Sequence, residues 1–224
     1  MNDHDFTAAA VAHLCEAYGC HAVLLYGSRA RGDATPDSDW DLVGLRHDPA
    51  EVWDARLLHG HTLDAFVYGP TAFVTLDGAA LRLRGARVIL DREGAAAALL
   101  SRLEAFYAAG PPRVSDDERR ALAIWYRKTL VRIARDDLEG RLRRLSLLGD
   151  ALETWHRLRG LWFGGSKAGA REMAARDPEA YAALRAALSP GAPWSSLVTL
   201  SAAVLGEAFV PPEGVTRPPP GATG

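Results

Sequence analysis

Asp39 and Asp41 stand one residue apart in the run SDWDLVG, and ten residues separate them from Gly27-Ser28. Alternate residues of a strand share a face, so on a strand the two carboxylates point one way while Trp40 and Leu42 point into a core. Carboxylates held this close raise each other's pKa unless a cation neutralises them. Oxygen-only ligands favour a hard divalent ion such as Mg2+, which keeps waters and shares substrate phosphates. Gly27-Ser28 supplies the complementary half. A strand that breaks at a glycine into a helical turn presents backbone N–H groups to a phosphate. The glycine permits close approach, and the Ser28 hydroxyl can donate to an oxygen. Arg29 and Arg31 lie within one turn and can reach the same polyphosphate. Metal on the acids and phosphate on the loop together describe a site for a nucleoside triphosphate.

These residues need strands to hold them, and the surrounding pattern predicts strands. Residues 6–18 read as a helix ending at Gly19, 21–27 as a short apolar strand closed by Gly27, and 39–46 as a second strand. A helix is expected over 49–60, a strand over 61–69, a helix over 70–84, a strand over 86–92 and a helix over 94–110. Pro111-Pro112 then punctuates the chain, and Ser115 to Glu118 form a capping box that starts a new helix. Leu138, Leu142, Leu145, Leu148, Leu152, Trp155 and Leu158 recur at steps of three and four, the mark of one long amphipathic helix. Further helices are expected over 167–176, 178–188 and 194–208. The fold class is therefore α+β: a small mixed sheet flanked by helices over 1–110, then an all-α helical bundle over 111–209. The Pro/Gly-rich residues 210–224 are expected to be a disordered tail.

The stretch GSRARGDATPDSDWDL resembles the signature of the nucleotidyltransferase superfamily, whose members share the DNA polymerase β palm fold. The pattern is Gly-Ser, a turn-rich stretch, then Asp-x-Asp; Trp40 departs from the usual aliphatic residue, on the side away from the acids. The family usually carries a third carboxylate on a following strand, and Asp64 in TLDAFVY is the candidate, sharing a strand face with Thr62 and Phe66. What the resemblance implies is nucleotidyl transfer. Asp39, Asp41 and Asp64 would hold two Mg2+ ions, and Asp64 would also accept the proton of an acceptor hydroxyl. Gly27, Ser28, Arg29, Arg31 and Ser38 would hold the triphosphate, with ATP the expected donor. An alternative base is an acid of the helical half, Glu153 or Asp150.

Lys167, in LWFGGSKAG, is one of two lysines in the chain; a phosphate contact and a solvated helix start are equally open readings of it. Trp162 and Phe163 fit core packing better than stacking on a base. His59 and His61 lack a third nitrogen or sulfur ligand at a spacing suited to zinc. Arg141, Arg143 and Arg144 read as a solvated helix face.

With 48% hydrophobic and 24% charged residues, the composition is that of a soluble globular protein. No apolar run is long enough to cross a bilayer. Only Cys15 and Cys20 occur, and no secretion signal opens the chain, so a cytoplasmic protein with reduced thiols is expected. Residues 1–109 carry 9 arginines against 15 acidic residues, whereas 110–189 carry 16 basic against 11 acidic ones. That asymmetry fits a polyanion held between cations and a basic lobe. A nucleic-acid substrate would call for a more basic chain.

Two-domain antibiotic nucleotidyltransferases, including those acting on aminoglycosides, have a layout of this kind. It points to a small hydroxylated acceptor, although a basic helical half is poorly suited to a polycation. The alternatives are an antitoxin-type enzyme that adenylylates a partner toxin, in which the helical half is usually missing, and a non-catalytic nucleotide-binding regulator.

Overall fold

Backbone pairing, rather than helix propensity, organises the first half of the chain. The computed structural model describes residues 3–213, and the chain divides into two compact units, Met1–Ala109 and Gly110–Gly224. In the first, α1 (Asp3–Tyr18) leads into β1 (Ala22–Leu25), a one-turn helix α2 (Gly27–Arg31) and β2 (Trp40–Leu45). The hairpin β3 (Val52–Leu58) and β4 (His61–Tyr68) follows, then a 3-10 turn at Gly78–Leu83, β5 (Arg87–Asp91) and α3 (Ala95–Ala109). The five strands form one mixed sheet in the order β3-β4-β2-β1-β5. β2 and β4 run parallel, while the other neighbours are antiparallel.

The period-2 alternation of the strands divides this sheet into two faces. On one, Val23, Leu25, Trp40, Leu42, Leu63, Ala65 and Val67 pack with Phe6, Ala10 and Leu14, which recur every four residues along α1. On the other, buried Leu24 and Val43 lie on the side where α3 and the 3-10 turn contribute Leu81, Leu83, Leu99 and Leu103. Asp41, Asp64, Phe66 and Tyr68 belong to this second face by register.

Two expectations fail here. Residues 49–60 are not a helix: Val52 to Leu58 pair with Val67 to His61 of β4. His59 and Gly60 take positive φ of 48° and 82°, which makes the tight turn that a hairpin requires. Buried Asp54 then pins β3 to α1, accepting from His13 Nε2 at 2.8 Å and from the Tyr18 hydroxyl at 2.9 Å. A helix would have scattered those partners. Residues 70–84 hold only the short 3-10 segment, because the Asp77 carboxylate accepts from the Ala79 and Ala80 N–H groups and starts it late.

The second unit is helical: α4 (Asp116–Ile133), α5 (Leu138–Leu158), α6 (Ser166–Arg176), α7 (Pro178–Leu188), α8 (Trp194–Leu205) and a 3-10 turn at Gly206–Ala208. Ser115 and Glu118 form the reciprocal capping box of α4. Tyr126, Leu130, Leu147, Trp155, Met173, Leu197 and Leu200 are the fully buried centre of its core. Along α5 the predicted stripe is buried at Leu152, Trp155 and Leu158 and half-buried at Leu148, whereas Leu138, Leu142 and Leu145 are exposed and Leu147, off the stripe, is fully buried. Periodicity fixes which residues share a face, not how far neighbouring helices cover it. Of the expected tail, 214–224 lie outside the described residues.

Candidate active site

Asp41 sits on β2 directly opposite Asp64 on β4, in parallel register. Adjacent strands lie about 4.8 Å apart, so the two carboxylates rise side by side from one face. Asp39 immediately precedes β2, near enough for its charge to act on Asp41. The consequence is visible in the Asp41 carboxyl, which is held above the usual carboxylate range by burial first, then by the charges of Asp64 and Asp39, with Arg31 opposing. A cluster of this kind is what a bound dication relieves, and its all-oxygen donor set suits Mg2+.

Gly27 faces this cluster. The last backbone pairing of β1 is the Tyr26 N–H donating to the Asp41 carbonyl at 2.9 Å, after which the chain turns at Gly27 with φ of +72°. A Cβ at this position would lie 1.9 Å from Asp41 Oδ2, so only glycine leaves the carboxylate its place. α2 starts here with Tyr26 as its N-cap and no side chain capping it. Ser28 is half-buried on that turn, and its carbonyl accepts from the Asp33 N–H at 3.1 Å.

Other residues of the expected phosphate set are already occupied. The Arg29 guanidinium donates twice to the Ser38 carbonyl, at 3.1 and 2.8 Å, and lies 4.3 Å from the Trp40 ring centroid. It braces the loop between α2 and β2. The Ser38 hydroxyl accepts from the Thr35 N–H at 2.8 Å, which folds the same loop. Arg31 is exposed and pairs with Asp33 at 3.3 Å. Lys167, at the start of α6, and Glu153 and Asp150, on α5, are exposed in the second unit. Phe163 packs against that unit's core, 5.4 Å from the His156 ring.

Sequence reasoning missed the residues that frame Asp64. Trp53 of β3, opposite Phe66, donates its indole N–H to Asp64 Oδ1 at 2.6 Å. Trp53, Phe66 and Tyr68 form a stacked ladder with centroid spacings of 6.1 and 6.3 Å. Arg82, from the 3-10 turn, lies 5.2 Å from the Phe66 ring and donates to the Tyr68 hydroxyl at 2.5 Å. It brings a cation to the acidic face. Tyr26 completes the surround: burial, then the Asp41 charge, pushes its hydroxyl up to about 12. The misassigned 49–60 helix concealed Trp53, and Arg82 belongs to no motif; neither carried a signal beyond its residue type.

Residues 11–61 match the family model described as a nucleotidyltransferase domain. The matched span takes in Gly27, Ser28, Asp39 and Asp41 and stops short of Asp64. No curated protein matches the chain significantly. A solved nucleotidyltransferase-like protein from Exiguobacterium sibiricum 255-15 is similar at 16% identity, over 89% of this chain and 74% of that one, with a TM-score of 0.41.

Proposed function

We propose, on the match of residues 11–61 to the nucleotidyltransferase domain, that the protein transfers a nucleoside monophosphate, AMP from ATP, to a hydroxyl of a small acceptor molecule. The observation that carries this is the in-register pair Asp41 and Asp64, with Asp41 against the Gly27 turn. In this reading Asp39, Asp41 and Asp64 are the ligands of two Mg2+ ions, which when bound supply charge neutralisation for the triphosphate. The chain's own groups do the rest. The Gly27-Ser28 backbone receives the phosphates, and Trp53 fixes the Asp64 carboxylate in one orientation. Asp64 takes the proton of the acceptor hydroxyl as its oxygen bonds to the α-phosphorus; the bond to the β-phosphate breaks, and pyrophosphate leaves. Arg82 is placed to offset charge developing on that face.

The acceptor class rests on chain organisation: a helical unit follows the catalytic one, as in antibiotic-modifying relatives of this superfamily. Among the described residues no helix is long and apolar enough to cross a membrane. The test is purified protein with Mg2+, each of the four nucleoside triphosphates and a panel of aminoglycosides, lincosamides and other polyhydroxylated compounds, read by pyrophosphate release. Turnover that disappears in Asp39→Asn/Asp41→Asn is the expected result. Label transferred to a toxin protein instead would replace the acceptor class. Absence of Mg2+-dependent triphosphate binding would end the catalytic reading altogether.

A further inference from the structure

At the other end of the same sheet, three side chains that the transfer chemistry does not use converge. His21 immediately precedes β1, and its backbone is tied on both sides: its N–H donates to the Leu45 carbonyl at 2.9 Å, and its carbonyl accepts from the Arg92 N–H at 3.0 Å. His47 lies two residues beyond the end of β2, and Glu93 two residues beyond the end of β5. Strand pairing therefore brings the three together. Their ligand atoms all lie within 4.8 Å of one another. His47 Nε2 is 3.0 Å from one Glu93 oxygen, and His21 Nδ1 is 3.7 Å from the other. The two imidazoles stack with centroids 4.5 Å apart.

We infer that His21, His47 and Glu93 form a second cation site, selective for an imidazole-seeking divalent ion of the zinc class. Zinc bonded to nitrogen and oxygen at about 2.1 Å sets tetrahedral ligand-to-ligand edges of roughly 3.4 Å, and the two separations to Glu93 bracket that length. His21 Nδ1 is buried and makes no hydrogen bond, which is costly for a polar atom; a metal bond satisfies it. Glu93 presents one oxygen to each ring. Nitrogen lone pairs lie in the ring plane, so to bind the ion the His47 side chain, 74% exposed, turns out of its stack on His21 and exchanges its Glu93 hydrogen bond for the metal, while His21 is held in place. Two imidazoles and one carboxylate suit Zn2+ and its transition-metal neighbours, not the Mg2+ of an all-oxygen site. Three protein ligands leave a fourth position for water, and a cavity of about 310 Å3, lined in part by Arg46, Phe73 and Arg102, adjoins the cluster. From His21 to Gly27 the chain runs along β1 for roughly 20 Å at the strand rise, so the two sites are distinct. An ion here would tie together the ends of β1, β2 and β5.

The experiment uses the full chain carrying Asp39→Asn/Asp41→Asn, which removes the carboxylate site, stripped with chelator and titrated with Co2+. One equivalent is expected to bind with the intense visible bands of a four-coordinate ion. Zn2+ should displace it, and Zn2+ but not Mg2+ should raise the melting temperature. His47→Ala and Glu93→Gln alter exposed side chains, leaving the fold intact, and each should weaken binding at least about tenfold, whereas His59→Ala should not. Co2+ that keeps the spectrum of the hydrated ion, or binding unchanged in both variants, would show the cluster to be an ion pair alone. Because this protein lacks Asp39 and Asp41 of the transfer site, that failure would leave the proposed function untouched.

Discussion

Gly27→Ala compared with Gly32→Ala isolates the contact between the Gly27 turn and Asp41, one of the acids proposed to hold the metal. Both glycines adopt left-handed backbone, with φ of +72° and +79°, so an alanine at either costs about 1 kcal/mol in conformational strain. The surroundings differ. At Gly32 a Cβ meets nothing within 4 Å, whereas at Gly27 it falls 1.9 Å from Asp41 Oδ2 and 2.8 Å from Asp41 Cγ. Ordinary contact begins at 3.4 Å, so the carboxylate must retreat by about 1.5 Å, and a misplacement of about 1 Å in a reacting constellation is enough to lose about 10²-fold in rate. In urea unfolding Gly32→Ala should therefore show a small loss and Gly27→Ala a larger one, because the Asp41 side chain must give way. Mn2+·ATP binding, followed by the electron paramagnetic resonance of free Mn2+, should weaken about tenfold or more for Gly27→Ala and stay near wild type for Gly32→Ala. Equal binding by the two variants would refute the argument that Gly27 is glycine for the sake of Asp41.

Asp41→Asn should raise the melting temperature in EDTA at neutral pH while abolishing Mn2+·ATP binding. The carboxyl's folded pKa is raised by burial and by Asp64 and Asp39, so its penalty is complete above that raised value and vanishes below the unfolded carboxylate value of about 3.9; melting curves of wild type and variant should converge there. Asp54 behaves oppositely. Burial pushes its carboxyl up, but the donors His13, Arg56 and Tyr18 together hold it below the usual range. Its stabilisation is present above the unfolded carboxylate value and lost as pH falls through the depressed folded one. Asp54→Ala should cost about 3 kcal/mol in urea unfolding at pH 7 and, lying on the opposite sheet face, leave Mn2+·ATP binding intact. Ser115→Ala removes half of the α4 capping box and should cost about 1 kcal/mol of stability, without change in nucleotide binding.

Local chemistry made Gly27, Asp39 and Asp41 legible from the sequence. Their spacing places a turn, an acid pair and two short strands within one stretch, and alternation along a strand needs no tertiary information. The strand bearing Asp64 was legible for the same reason, as were α4, from its capping box, and α5, from its leucine period. Residues 49–60 were not. Their apolar positions suit a helix nearly as well as a strand, and what decides is pairing with β4 and the burial of Asp54 against His13 and Tyr18, partners 41 and 36 residues away.

The sequence alone thus determined the acid pair, the glycine and their spacing, because these are properties of neighbouring residues. Tertiary structure decided which distant groups join them. It set Asp41 opposite Asp64 and gave Trp53 and Arg82 to the same face. It also committed Arg29 and Ser38 to the loop, and it gathered His21, His47 and Glu93, whereas His59 turns a hairpin and His61 packs on Phe6. Side chains from separate strands meet through register and burial, and neither is written in the spacing of residues along the chain.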